Sequence, residues 1–204
     1  MARGPTVNII NRTNETSRIH HTRDGRNIYS RGNPAARREI SEINAIILHQ
    51  TSFVSARVER FNYVIANYIV MQDGRVLMVR PIEERLNSIG TNQRAIDIEF
   101  VGNYPDARAV HRGGRTTFSL PSTQQIRAGR ELVAHLRDRH GISKIFGHIQ
   151  FRSKNCPGPH LWYNVGMWAV VHGLSSSRTG ARMIPRQWQD ESMEIVPLRI
   201  NRAE

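Results

Sequence analysis

Hydrophobic and polar residues in the middle of the chain alternate, or form short apolar runs, in patterns typical of β-strands. Two of the apolar runs end in a histidine, at His49 and at His148. A third segment carries Asp73-Gly74 at its centre, which favours a hairpin turn between two strands. The strands predicted in this way span 43–49, 68–79 (the hairpin), 95–101 and 144–148.

Apolar residues recur at helical spacing in three further segments, 51–67, 122–141 and 161–173. The second has the clearest bounds, because Ser122 can cap its start, Gln125 can complete a capping box and Gly141 favours its end. The resulting order β-α-β-β-β-α-β-α predicts an α/β fold in which a mixed central β-sheet is flanked by helices.

The two ends of the chain lack such patterns. Residues 1–40 are polar, rich in Asn, Arg and Gly, and without periodicity, so we expect an N-terminal basic arm. From Ser175 onward the composition turns to Ser, Arg and Pro, which predicts a C-terminal surface extension. A chain of 204 residues with 39% apolar residues fits one globular domain with such arms.

The composition excludes several classes of protein. Cys156 is the only cysteine, so an internal disulfide cannot form and the thiol is inert, reactive or metal-bound. No apolar stretch approaches the ~18 residues that a membrane span needs. The N-terminus has no apolar signal core, so we expect synthesis in the cytoplasm without a Sec-type signal.

The net charge is strongly positive, with 29 Lys and Arg against 17 Asp and Glu, a balance of +12. A basic surface suits any polyanion, which leaves nucleic acid, anionic lipid and acidic cell-wall polymers open as partners. We find no zinc finger, RNP aromatic pair or basic heptad region. Nucleic-acid binding therefore has only the charge in its favour, and we do not expect it.

Three residues combine metal-ligand chemistry with a placement that could bring them together. His49 and His148 end two predicted strands, and Cys156 follows in a loop restricted by Pro157 and Pro159. Two histidines and one thiolate suit tetrahedral zinc and leave the fourth position for water, whose pKa an open zinc site can lower to ~7. Taken singly, each residue has a structural alternative, since a lone buried cysteine commonly packs as a small apolar side chain.

Four segments together resemble the type-2 N-acetylmuramoyl-L-alanine amidases: "AIILHQTS", "YIVMQDGRVLMVRPIEER", "NQRAIDIEFVGNYP" and "IFGHIQFRSKNCPGPHLW". That family includes phage amidase-type lysozymes, cytosolic anhydro-muropeptide amidases and animal peptidoglycan recognition proteins. The resemblance covers roughly residues 43–172. It implies a single domain of the amidase or peptidoglycan-recognition type, and a division into an arm (1–40), a zinc amidase domain (41–174) and an extension (175–204).

The resemblance also implies roles for individual residues. His49, His148 and Cys156 match the three zinc ligands. Glu99 matches the general base of the bacterial branch, and Lys154 matches the lysine that stabilises the developing oxyanion. An exposed strand carboxylate that meets an arginine is the alternative for Glu99, and a solvated loop charge is the alternative for Lys154.

The chain departs from the family pattern at three places. Tyr68 falls on a packing position instead of the catalytic tyrosine position of the phage lysozymes, so we expect it in the core. The groove-lining "WHAG" segment is replaced by "NSIG" at 87–90. Asp97 stands where family members often have glycine, and we expect it to face solvent.

The function that the resemblance implies is zinc-dependent hydrolysis of the bond between N-acetylmuramic acid and L-alanine in peptidoglycan. A non-catalytic peptidoglycan-binding module is the alternative. The expected partner is the anionic cell wall, reached after release through a membrane pore, as a phage endolysin, or after injection by a delivery apparatus, as an effector. A cytosolic wall-recycling enzyme is a third setting compatible with the sequence.

Overall fold

A mixed six-stranded sheet forms the centre of the protein. The computed structural model describes residues 7–16, 19–21, 27–30, 37–86, 94–104, 119–152 and 155–199. The strands in these ranges are β1 (Ile9–Asn11), β2 (Ile19–His21), β3 (Asn27–Ser30), β4 (Ala45–Gln50), β5 (Tyr68–Val70), β6 (Val76–Met78), β7 (Ala95–Phe100) and β8 (Lys144–Gly147). The central sheet has the order β1-β6-β5-β7-β4-β8, and β2 and β3 form a separate antiparallel pair.

The half of the sheet around β4 is parallel. β7 lies on one side of β4 and β8 on the other, and both run parallel to it. The predicted hairpin is confirmed, since β5 and β6 are antiparallel and Gly74 adopts a positive φ of 88° in the turn between them. The parallel arrangement brings the carboxyl ends of β4, β7 and β8 to one edge of the sheet, where open α/β sheets commonly bind ligands.

Two helical stretches pack against the sheet. The first, α1 (Thr123–His140), begins at Ser122, whose hydroxyl accepts a hydrogen bond from the Gln125 N–H, and ends at Gly141 in the left-handed conformation. The Gln125 side chain does not complete the predicted capping box. It donates instead to the carbonyls of Val70 and Val101, and so joins the helix to the sheet.

The second stretch confirms the helix predicted near 161–173 but contains an unpredicted π-helical centre. It consists of Pro159–Leu161 (α-helical), Trp162–Met167 (π-helical) and Trp168–Val171 (α-helical), which together we call α2. Short 3₁₀ turns complete the structure at Ile40–Glu42, Val58–Phe61, His148–Gln150, Arg186–Gln189 and Glu191–Met193.

The two faces of the sheet have different coverings. Ile96, Ile98 and Phe100 of β7 belong to the main core, together with apolar residues of α1 and α2. Because side chains alternate along a strand, Asp97 and Glu99 lie on the opposite face. A second apolar cluster around Phe61, together with partly buried residues of the segment 53–64, covers part of that face.

The helix predicted over 51–67 is wrong. Only the 3₁₀ turn at Val58–Phe61 forms there, and Ser52 has a positive φ of 61°. Phe53 pairs with Gly102 in an isolated bridge and stacks on Phe61 at 5.7 Å between ring centroids. The apolar residues of this segment are therefore packed against the sheet by an irregular chain, and their spacing alone could not distinguish this from a helix.

Both ends of the chain contact the core more closely than their composition indicated. β1, within the predicted arm, pairs with β6 at the edge of the sheet. In the predicted extension, Trp188 is fully buried and Ile184 is nearly so. No helix within the described ranges is both long and apolar enough to cross a membrane.

Candidate metal centre

The three predicted ligands lie together at the carboxyl edge of the parallel strands. His49 is the fifth residue of β4, and His148 follows directly after the last residue of β8. Cys156 approaches from the loop that precedes α2. All three side chains are buried, with exposed fractions of 5%, 8% and 7%. Within the described part of the chain they form a group whose potential ligand atoms all lie within 4.8 Å of one another.

The spacing of these atoms fits a tetrahedral metal ion. Nδ1 of His49 lies 3.1 Å from Nδ1 of His148 and 3.9 Å from Sγ of Cys156. Two nitrogens and a sulfur bound tetrahedrally to zinc at ordinary bond lengths would be separated by about 3.3 Å (N to N) and about 3.6 Å (N to S). The donor set of two imidazoles and one thiol is also one that zinc favours. The site therefore fits zinc in its donor chemistry, and the two distances from Nδ1 of His49 are close to those of a tetrahedral site.

Asp97 contributes a contact that the sequence did not predict. Its side chain is completely buried, and Oδ1 lies 2.9 Å from Nε2 of His49. The expectation that Asp97 faces solvent is therefore wrong. The strand alternation placed it on the correct face, but that face is covered at this position.

The pKa of His49 is well above its usual range. Burial of the ring lowers this pKa, but the hydrogen bonds to Asp97 and Cys156 and the negative charges of Glu99 and Asp97 raise it by more. The surroundings of His49 therefore stabilise positive charge, and they would stabilise a bound cation in the same way.

The loop that carries Cys156 is held by backbone contacts. The Cys156 carbonyl accepts a hydrogen bond from the Ile149 N–H at 2.7 Å, and its sulfur accepts one from the Gln50 N–H at 3.3 Å. Gly158 has a φ of 93°, and a Cβ at this position would overlap the carbonyl of Tyr104. The corner at Pro157-Gly158 therefore packs directly on the backbone of Tyr104, in the segment that follows β7, and this contact restricts the position of the thiol.

Glu99 lies beside His49 in the register of β7 and β4. The residue is partly exposed, whereas Asp97, two residues earlier, is not, and Oε2 of the Glu99 carboxylate is buried. Glu99 is thus the less deeply buried of the two carboxylates on the face that carries His49.

The remaining sequence predictions concern Tyr68, Lys154 and the "NSIG" segment. Tyr68 is buried in the main core, as expected, and burial raises its pKa to about 12. Lys154 and the "NSIG" segment at 87–90 lie outside the described residues.

Solved structures with the same fold include peptidoglycan amidases and recognition proteins. The amidase LysC from Clostridium intestinale URNW has a TM-score of 0.53 at 17% identity, with 75% of this chain and 90% of that chain covered. Drosophila PGRP-LB has a TM-score of 0.55 at 15% identity, with 85% and 99% covered. The peptidoglycan recognition protein LE, solved in complex with tracheal cytotoxin, has a TM-score of 0.54 at 18% identity, with 78% and 93% covered.

At these identities the likeness establishes the fold, which is the single α/β domain that the sequence predicted. A comparison with the curated proteins gave no significant match. The model of the family described as N-acetylmuramoyl-L-alanine amidase (Amidase_2) matches residues 15–159, which is well over half of the chain. The chain belongs to this family.

Proposed function

We propose that this protein is a zinc-dependent hydrolase of peptidoglycan that cleaves the amide bond between N-acetylmuramic acid and L-alanine. The observation that carries the proposal is the complete cluster of His49, His148 and Cys156 at the carboxyl edge of the sheet. A module that only binds peptidoglycan has no need of three converging metal ligands. Family membership supports the same reaction class.

The proposed ligand atoms are those that lie close together. They are Nδ1 of His49, Nδ1 of His148 and Sγ of Cys156, which would hold the ion. A zinc ion bound there supplies a Lewis acid that polarises the scissile carbonyl and makes a bound water molecule more acidic. The Gln50 N–H donates to Cys156 Sγ and helps to hold the sulfur beside the two histidines.

Glu99 is the proposed general base. Its carboxylate takes a proton from the attacking water and passes it to the nitrogen of the leaving amine, so that the amine departs uncharged. The position beside His49 in the strand register supports this role. For Lys154 we propose stabilisation of the oxyanion that develops on the carbonyl, since a compact cation near that oxygen acts mainly in the transition state.

The proposed substrate is polymeric, anionic cell wall. A net charge of +12 favours association with such a polymer. A related fold, the recognition protein LE, has been solved with a monomeric diaminopimelic acid-type peptidoglycan, which supports peptidoglycan as the ligand class. We further propose that the protein acts in the periplasm or on the wall as a lytic enzyme, either an endolysin or a delivered effector.

Digestion of purified sacculi tests the function. Mass spectrometry of the soluble products should show free peptide stems and glycan strands without peptides, and elemental analysis should show zinc in the purified protein. Cys156→Ser and His148→Ala should lose both zinc and activity. His140→Ala is a matched control, because His140 ends α1 near the opposite end of β8 and should leave both unchanged.

Two outcomes would contradict the proposal. Full zinc retention in both ligand variants would show that the metal is bound elsewhere or adventitiously. Wild-type protein that sediments with sacculi but releases no stems would instead establish the binding-module alternative.

A further inference from the structure

Asp97 occupies a position where a charged side chain needs a reason to be buried. Asp97 is completely inaccessible to solvent, whereas Glu99, two residues later on the same strand, is partly exposed. Removing a carboxylate from water is costly unless its charge is compensated nearby. The contact of Oδ1 with Nε2 of His49, at 2.9 Å, supplies compensation at the metal centre itself.

We propose that Asp97 is a positioning residue that fixes the ring orientation and the tautomer of His49, so that Nδ1 presents its lone pair to the metal ion. The inference rests on the proposed function only in taking a metal ion to bind to His49, His148 and Cys156. It assigns Asp97 no contact with substrate.

The chemistry of the carboxylate and the imidazole determines the tautomer of His49. A carboxylate can only accept hydrogen bonds, so its contact with Nε2 requires a proton on that nitrogen. When a metal ion is bound, the ring is a neutral imidazole with one N–H, and Nδ1 is then left with a free lone pair. Nδ1 is also the atom that faces His148 and Cys156, at 3.1 and 3.9 Å. The two ring nitrogens thus have the roles that metal binding through Nδ1 requires.

Asp97 is itself held firmly by the sheet. Its backbone N–H donates to Oδ1 of Asn67 at 3.1 Å, and its carbonyl accepts from the Asn67 N–H at 3.0 Å. Asn67 is fully buried and donates from its side chain to the carbonyl of Pro81. A rigid backbone on β7 leaves the carboxylate little freedom to move away from His49, which is the condition for orienting a ring.

Metal binding and the Asp97 contact should strengthen each other. A cation on Nδ1 polarises the ring and makes Nε2–H a better donor to the carboxylate. In return, the carboxylate makes the imidazole a more basic ligand. Loss of such an outer partner typically lowers metal affinity by about 10- to 100-fold.

The test compares zinc affinities of wild-type, Asp97→Asn and Glu99→Gln proteins by competition with a chromogenic chelator. Both substitutions remove one negative charge from the same face of β7 and preserve the shape of the side chain. Only Asp97→Asn alters the group on Nε2, and its amide can also donate to Nε2 and thereby favour the wrong tautomer. We expect about 10- to 100-fold weaker binding for Asp97→Asn and a much smaller change for Glu99→Gln.

A second measurement needs no variant. In wild-type protein labelled with ¹⁵N-histidine and loaded with ¹¹³Cd²⁺, the metal coupling of His49 should appear at Nδ1, with the proton on Nε2. Coupling at Nε2 would overturn the proposal even if Asp97→Asn failed to fold. Thermal melting of the metal-free proteins controls for general loss of stability.

The outcomes separate this proposal from the proposed function. Equal zinc affinity of wild-type and Asp97→Asn protein would overturn the role of Asp97 and leave the metal centre intact. A decrease of the same size in both variants would show that charge alone matters, and would also overturn it. Wild-type protein that binds neither zinc nor cadmium would overturn the proposed function, and the role of Asp97 with it.

Discussion

Asp97 and Glu99 are carboxylates two residues apart on one strand, and their surroundings suit them to different roles. Asp97 is sealed from solvent against a ligand histidine, whereas Glu99 is partly exposed beside the same histidine. A group that must take up and release a proton during each turnover needs access to the reacting water. Of the two residues, only Glu99 is partly exposed, which is why we propose it as the base.

We therefore expect Glu99→Gln to retain zinc and fold but to lose activity on sacculi by about 10²- to 10⁴-fold, the usual effect of removing a general base. Steady-state release of peptide stems measures this effect. Asp73→Asn, which removes an exposed carboxylate in the β5–β6 turn, is the control for charge. Turnover of Glu99→Gln close to that of wild type would assign the proton transfer to another group.

At the level of residues, the sequence predicted that His49, His148 and Cys156 lie together, but not the partner of His49. The cluster was predictable because strand-end placement and donor chemistry are both local properties. The environment of Asp97 depends on whether its face of the sheet is covered, and that is decided by distant segments, among them Asn67 and the irregular chain that packs Phe61. The alternation of side chains along β7 predicts on which face of the sheet Asp97 lies, but not whether other segments cover that face.

At the level of elements, predictions succeeded where a local signal fixed the structure. The β5–β6 hairpin has its Asp-Gly turn, and α1 has its cap at Ser122 and its stop at Gly141. The segment 51–67 has no such signal at either end, and long-range contacts replaced the helix that its spacing predicted. Long-range contacts also explain why the side chain of Gln125 does not complete the predicted capping box. It donates instead to the carbonyls of Val70 and Val101.

The corner after Cys156 is an element whose geometry depends on glycine. Gly158 combines a positive φ of 93° with a position where any Cβ would overlap the Tyr104 carbonyl. Gly158→Ala should destabilise the protein by more than the ~1–3 kcal/mol that its backbone conformation alone costs a residue with a Cβ, and should weaken zinc binding because Cys156 shifts. Urea unfolding and chelator competition measure the two effects.

Gly173 provides the matched control. It also has a positive φ, of 100°, but a Cβ there meets nothing within 4 Å. Gly173→Ala should therefore show the conformational cost alone and keep its zinc affinity. Equal destabilisation by the two substitutions would mean that the corner moves away from Tyr104 at little cost and does not fix the thiol.

At the level of the whole molecule, the C-terminal segment is joined to the helical layer by partly buried polar contacts. Oδ1 of Asn164, in the π-helical part of α2, accepts hydrogen bonds from the N–H groups of Ile195 and Val196. Arg130 of α1 donates to the carbonyls of Val196 and Pro197, and burial lowers its pKa to about 10. A composition rich in Ser, Arg and Pro gave no sign of this, because the acceptors and donors lie on helices far away in sequence.

Asn164 should therefore anchor the C-terminal segment to the fold. Its side chain is fully buried and also donates to the carbonyls of His160 and Met193, at 2.7 and 2.8 Å. Asn164→Ala removes these hydrogen bonds, and the loss of a partner by a buried polar group costs about 1–3 kcal/mol. We expect destabilisation of about 1–3 kcal/mol in urea unfolding, and faster hydrogen exchange at the amides of Ile195 and Val196. Asn14→Ala, at an exposed turn, should change neither.

Because Asn164 lies on the opposite face of the sheet from Asp97 and Glu99, the Asn164→Ala variant should keep its zinc affinity. Unchanged exchange at both amides would show that the segment is held by its apolar contacts, with Trp188 as its main anchor.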